Sequence, residues 1–289
     1  MNPDKLEVYS EHSVPAPPPE ASHAPPWTLR DLGLLFGLGA LAVAVAYVAV
    51  MVSYGAIGPS MGWHVPPKDL QETTYLSLAL QSVFYALLFA GVYALVALRK
   101  RLPFWQALKW QTPTPLQALG YFAVGAILSV AVQFAPTIFP DRSDFPLSQL
   151  FSSPAIAYAV GAFAVLVAPL MEELIFRGVL FAIFEDQAGP IFAVIATAAL
   201  FTGLHIAEYR GAWNHLFLLL IVGLVFSLAR GLTGSLAPSV ILHTAYNLCQ
   251  LVVLYFSTEH FQVMQTVVFS AAYFSAGPCP VPCFHSSLW

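Results

Sequence analysis

Glu172, Glu173 and Arg177 stand in the stretch PLMEELIFRG, with apolar sequence on either side. An ionised side chain at the centre of a bilayer costs about 2.5–3.5 kcal/mol on insertion scales, so such residues are rarely idle. Helical spacing separates the three. Glu173 and Arg177 are four residues apart, lie one above the other and can pair. Glu172 is turned about 100° from Glu173 and shares its face with Phe176 instead. The spacing therefore predicts Glu173 and Arg177 as a supporting ion pair. It leaves Glu172 as the carboxylate free to work.

Two later apolar stretches carry polar residues of their own. FTGLH places Phe201 and His205 four apart, and HTAYN places His243 and Asn247 four apart. A carboxylate, two imidazoles and an amide are an inventory for hydrolysis. A carboxylate and a histidine can hold and deprotonate a water. A second histidine and an amide can donate hydrogen bonds to a developing oxyanion. A zinc ion held by Glu172, His205 and His243 is a second arrangement of the same groups, since three protein ligands plus water make the usual catalytic site. The sequence has no H-E-x-x-H helix, so the cofactor expectation stays at none or one Zn2+. Membrane-buried histidines and asparagines also serve simply to tie helices together. That reading stands beside the chemical one for His205, His243 and Asn247. His64 and His260 fall in or beside loops and show no partner in the sequence. Cys279, Cys283 and His285 in CPVPCFH are too few to define a metal site.

These groups need elements to position them, and composition says which. Hydrophobic residues make up 58% of the chain, charged residues 9%, and the net charge is -4; mean hydropathy is +0.73. A soluble domain is about 25% charged, so the chain is expected to be an all-α polytopic membrane protein. No basic patch suits nucleic acid. A spanning helix needs roughly 20 apolar residues. Candidate spans are 32–57, 75–98, 116–136, 154–184, 190–207, 213–229 and 236–256, with a weaker eighth at 261–276. The expected architecture is thus a bundle of seven to eight transmembrane helices. Arg99, Lys100, Arg101 and Lys109 cluster between the second and third spans, and the Lys/Arg bias of short loops places them in the cytoplasm. The N-terminal arm then lies on the same side. Residues 1–29 are rich in proline and polar side chains and lack the basic and apolar regions of a signal peptide. They read as a disordered arm. Residues 30–153 read as N-terminal transmembrane helices, 154–256 as the catalytic core, and 257–289 as a weak last helix and tail.

EELIFR fits E-E-x-x-x-R, FTGLH fits F-x-x-x-H and HTAYN fits H-x-x-x-N. In this order, on successive membrane helices, the three motifs resemble those of the CAAX-protease and bacteriocin-processing (CPBP) family of intramembrane endopeptidases, also called the Abi family. The resemblance covers 154–256. It implies a bundle of about eight membrane helices with a cavity open toward the cytoplasm. It also implies that Glu172 and His205 activate the water, that His243 and Asn247 form the oxyanion site, and that Glu173 and Arg177 support the first motif. Whether a metal takes part is unsettled in the family. The partners implied are the lipid bilayer and a peptide or membrane-associated protein substrate, lipidated substrates included. The location implied is a prokaryotic plasma membrane. Two other functions fit buried Glu and His: a transporter and a non-catalytic membrane scaffold. A transporter predicts polar residues spread across the bilayer, whereas here they concentrate in three motifs. A scaffold predicts a lost motif residue, and none is lost.

Overall fold

The structure is a computed structural model. It describes residues 27–64, 67, 70–99, 102–138, 153–207, 209 and 212–261. Those residues form helices and no strands. The helices are α1 (Leu29–Ile57), α2 (Leu70–Arg99), the short α3 (Phe104–Ala107), α4 (Pro115–Ile138), α5 (Pro154–Ala188), α6 (Pro190–Leu204), α7 (Trp213–Thr233) and α8 (Ala237–Ser257). Six of them, α1, α2, α4, α5, α7 and α8, are long and apolar enough to cross a membrane. The chain is an all-α, polytopic membrane protein. α6 is apolar but has 15 residues, a rise of about 22 Å against a hydrocarbon core of about 30 Å. It stops short of the expected 190–207 because the chain turns at His205, whose φ and ψ are -90° and 0°. The expected eighth span lies outside the described residues from 262 onward, as do Cys279, Cys283 and His285. Residues 1–26 of the expected arm do too.

Local sequence sets the helix limits. Thr28 caps α1 in a reciprocal capping box with Asp31, which satisfies two otherwise orphaned backbone donors. Ser153 caps α5 ahead of Pro154. Gly189 (φ 84°) and Gly234 (φ 65°) make the turns after α5 and α7, where a side chain would be strained. Trp27 and Thr28, assigned to the arm on sequence, are fixed in place. Trp27 is buried, its N–H donates to Asp186 Oδ2 at 2.6 Å, and Gln187 Nε2 donates to its carbonyl at 3.0 Å. Arg99 Nε bonds the buried Asp31 at 2.9 Å. These contacts place the start of α1, the end of α2 and the end of α5 at one end of the bundle. At the other end, His64 Nδ1 meets Glu72 at 3.0 Å. His64 thus has a partner that sequence reading did not find.

α5 is not one continuous α-helix. Pro154–Leu166 is α-helical, Val167 breaks the run, Ala168–Glu173 resumes it, Leu174–Leu180 is π-helical and Phe181–Ala188 is α-helical again. Pro169 lacks the N–H that would bond the carbonyl of Val165, which is the physical cause of the break. Within the π segment the Phe181 N–H reaches the carbonyl of Phe176. π segments inside α-helices occur mostly at functional sites. α4 packs on α8, α6 on α7, and α1 on α2.

Candidate active site

Glu173 and Arg177 form the predicted pair, with Arg177 Nη1 donating to Glu173 Oε1 at 2.9 Å and neither side chain exposed. The rest of the guanidinium is satisfied by α7. Nε donates to Ser227 Oγ at 3.2 Å and Nη2 to the Gly223 carbonyl at 2.8 Å. Its flat faces lie 4.9 Å from the centre of the Phe201 ring and 5.6 Å from that of Phe226. A buried guanidinium surrounded in this way is neutralised, hydrogen-bonded and packed, which is what burial of a charge demands. Arg230 Nε donates to the carbonyl of Arg177 at 3.1 Å, so a second arginine braces the π segment.

His243 enters from α8. Its Nδ1 lies 2.9 Å from Glu173 Oε1 and its Nε2 lies 3.8 Å from Glu172 Oε2. Glu173 Oε1 already accepts from Arg177, so it is an acceptor toward His243 as well, and Nδ1 carries the proton. Nε2 is then the nitrogen turned toward Glu172. The gap to Glu172 is too long for a direct hydrogen bond. It is short enough for one water to touch both groups.

The other predicted residues are placed differently. His205 caps α6, half-buried, with Nδ1 2.8 Å from the Phe201 carbonyl. A carbonyl only accepts, so here too Nδ1 holds the proton. The Phe201 ring stands beside both imidazoles, 4.8 Å from His205 and 5.9 Å from His243 between centroids. Asn247 Nδ2 donates to the Ala164 carbonyl at 2.7 Å. That carbonyl is beside the break at Val167, so Asn247 joins α8 to the interrupted α5. The structure thus gathers Glu172, Glu173, Arg177 and His243 directly. His205 adjoins them through Phe201, and Asn247 lies one turn along α8 from His243.

Tyr85 was not found from sequence. Its hydroxyl donates to Glu172 Oε1 at 3.1 Å, and its ring stacks on Phe163 at 5.8 Å. The available signal was Gln81 and Tyr85 four apart in a largely apolar span; Gln81 Nε2 donates to the Tyr85 hydroxyl at 3.3 Å.

As a zinc site the residues do not fit. Among the described residues no three of His, Cys, Asp and Glu are grouped so as to hold a metal ion.

Residues 154–249 match the family described as Rce1-like, type II CAAX prenyl endopeptidase. This segment is similar to that family. The match runs from the start of α5 into α8 and contains all three motifs, while α1–α4, Tyr85 included, lie outside it. No match was found among curated proteins or solved structures. The Rce1-like family is a protease family, in agreement with the CPBP resemblance, and its match supports peptidase activity in a chain that crosses the membrane several times.

Proposed function

We propose that the protein is an intramembrane endopeptidase that hydrolyses a peptide bond of a membrane-associated protein, lipidated proteins included, with a water activated by Glu172. The observation that carries this reading is the pair of Glu172 Oε2 and His243 Nε2, 3.8 Å apart, in front of a buried Glu173–Arg177 support. A water between them gives its proton to Glu172 as its oxygen attacks the peptide carbonyl. His205 assists Glu172 in holding that proton. The tetrahedral oxyanion takes hydrogen bonds from the second N–H of Asn247 and from His243 in the form that carries a proton on Nε2 as well as Nδ1, and that proton stays on His243 through the step. Collapse breaks the C–N bond, and the proton held by Glu172 passes to the departing amine. The products are a carboxylate and an amine.

The Lys/Arg-rich end of the bundle, with Arg99 and Lys109, is assigned to the cytoplasm, the N-terminus lies with it, and the membrane is a prokaryotic plasma membrane. The test compares membrane proteins from cells lacking the chromosomal copy and expressing either wild type or Glu172→Gln. New protein termini should appear with the wild type and be lost in the variant. Identical termini in both would end the peptidase reading.

A further inference from the structure

The inward face of α2 changes character halfway along the helix. Leu95, Val92, Leu88, Tyr85, Gln81 and Ser77 follow one another at spacings of three and four, so they lie on one face. Leu95, Val92 and Leu88 are buried in the main core. Tyr85 is only partly buried, and Gln81 and Ser77 are exposed. The face that is dry below Tyr85 is polar and open above it. Below Tyr85 it is packed in the core, and above Tyr85 it stands open; Ala79 and Ala86 occupy the opposite, exposed face.

Polar side chains open within a membrane span are costly against lipid and are found facing a water-filled cavity or the bundle interior. Here they also connect to the site. Gln81 donates to Tyr85 at 3.3 Å, Tyr85 donates to Glu172 at 3.1 Å, and the Glu172 side chain is itself 18% exposed. Ser77 to Tyr85 covers about 12 Å of helix, leading from the end that carries His64 and Glu72.

We propose that Ser77, Gln81 and Tyr85 line a hydrated cleft that delivers water to Glu172 from the end of the bundle opposite the Lys/Arg-rich loop. The groups are neutral donors and acceptors suited to water, and water is the co-substrate that hydrolysis consumes. A site in hydrocarbon needs a path for it that the leaving peptide does not block. The use of that water rests on the peptidase reading; the hydration of the cleft does not.

The test uses the full chain in lipid nanodiscs with Cys249, Cys279 and Cys283 replaced by serine. Single cysteines are placed at Ser77, Gln81, Ala79 and Ala86, and each is reacted with a charged thiosulfonate that does not enter lipid. Ser77→Cys and Gln81→Cys should react about tenfold or more faster than the two alanine-site variants. Equal rates would overturn the cleft, whatever the enzyme does. If added peptide substrate protects Gln81→Cys, the occupant is peptide and the water route is wrong. On the same protein, Gln81→Leu should lower kcat about threefold to tenfold with KM held, since binding is untouched and the water supply is not. Wild-type kcat in Gln81→Leu would overturn the delivery role. A wild type that cleaves nothing would instead end the peptidase reading, with the labelling result still deciding the cleft.

Discussion

Glu173 is the residue on which the site's geometry converges. One of its oxygens accepts from both Arg177 and His243, each at 2.9 Å. The two neighbouring glutamates therefore face different partners, with Glu172 toward Tyr85 and the Nε2 edge of His243. Removing one partner of a buried ion pair leaves an uncompensated charge and costs about 3–5 kcal/mol. Arg177→Ala should lose about that much, since it leaves the buried Glu173 carboxylate without its counter-ion. Thermal unfolding in detergent measures it, and an unchanged midpoint would refute the structural role. Glu173→Gln removes the charge and keeps the shape. It should retain a folded protein while cutting cleavage about tenfold to a hundredfold, the usual range for a carboxylate that orients a histidine. Retained cleavage would mean that His243 needs no such orientation. These residues were legible because charges in hydrocarbon stand out and their spacing is local. Tyr85 was not, because a tyrosine in a span has many uses and its partner is 87 residues away in the chain.

At the scale of the element, close helix approach decides where the motif residues sit. A Cβ at Gly125 of α4 would run into the Leu242 carbonyl and lie 2.9 Å from the Ala245 Cβ on α8. Backbone cannot yield as a side-chain tip does, and small residues at such crossings are what allow membrane helices to meet. Leu242 adjoins His243. Gly125→Ala should therefore push α8 away, lower stability by about 1–3 kcal/mol and lower cleavage with it. Gly161→Ala is the control. Its Cβ would meet only the tip of the Leu251 side chain, at 2.6 Å, which can turn away, so its effect on both melting and cleavage should be smaller. Equal effects of the two would show that the α4–α8 approach does not set the position of His243. The sequence made the helices visible but not their irregularities. Hydropathy alone cannot distinguish an α turn from a π turn within 174–180, nor see that the chain leaves α6 before His205.

At the scale of the whole molecule, the segment that matches the Rce1-like family is one part of the bundle. α1 and α2 carry no motif, and composition marked them only as membrane spans. Yet α2 brings Tyr85 to Glu172, and the hairpin is fixed to α5 a second time through Trp27, Asp186 and Gln187. That attachment was invisible in the sequence because Trp27 follows a proline-rich stretch that reads as a tail. Trp27 packs in the same buried cluster as Leu35, Val92, Leu174 and Val179, so it joins α1 and α2 to the π segment. Truncation of a buried tryptophan costs about 3–5 kcal/mol in soluble cores. Trp27→Ala should lower the thermal midpoint and, because it loosens the hairpin that holds Tyr85 and the inward face of α2, should lower cleavage even well below the new midpoint. Trp27→Phe keeps most of the apolar mass and the backbone bonds to Asp186 and Gln187, and should recover both. A Trp27→Ala protein that melts early but cleaves normally would show that the hairpin supports the fold without positioning the site.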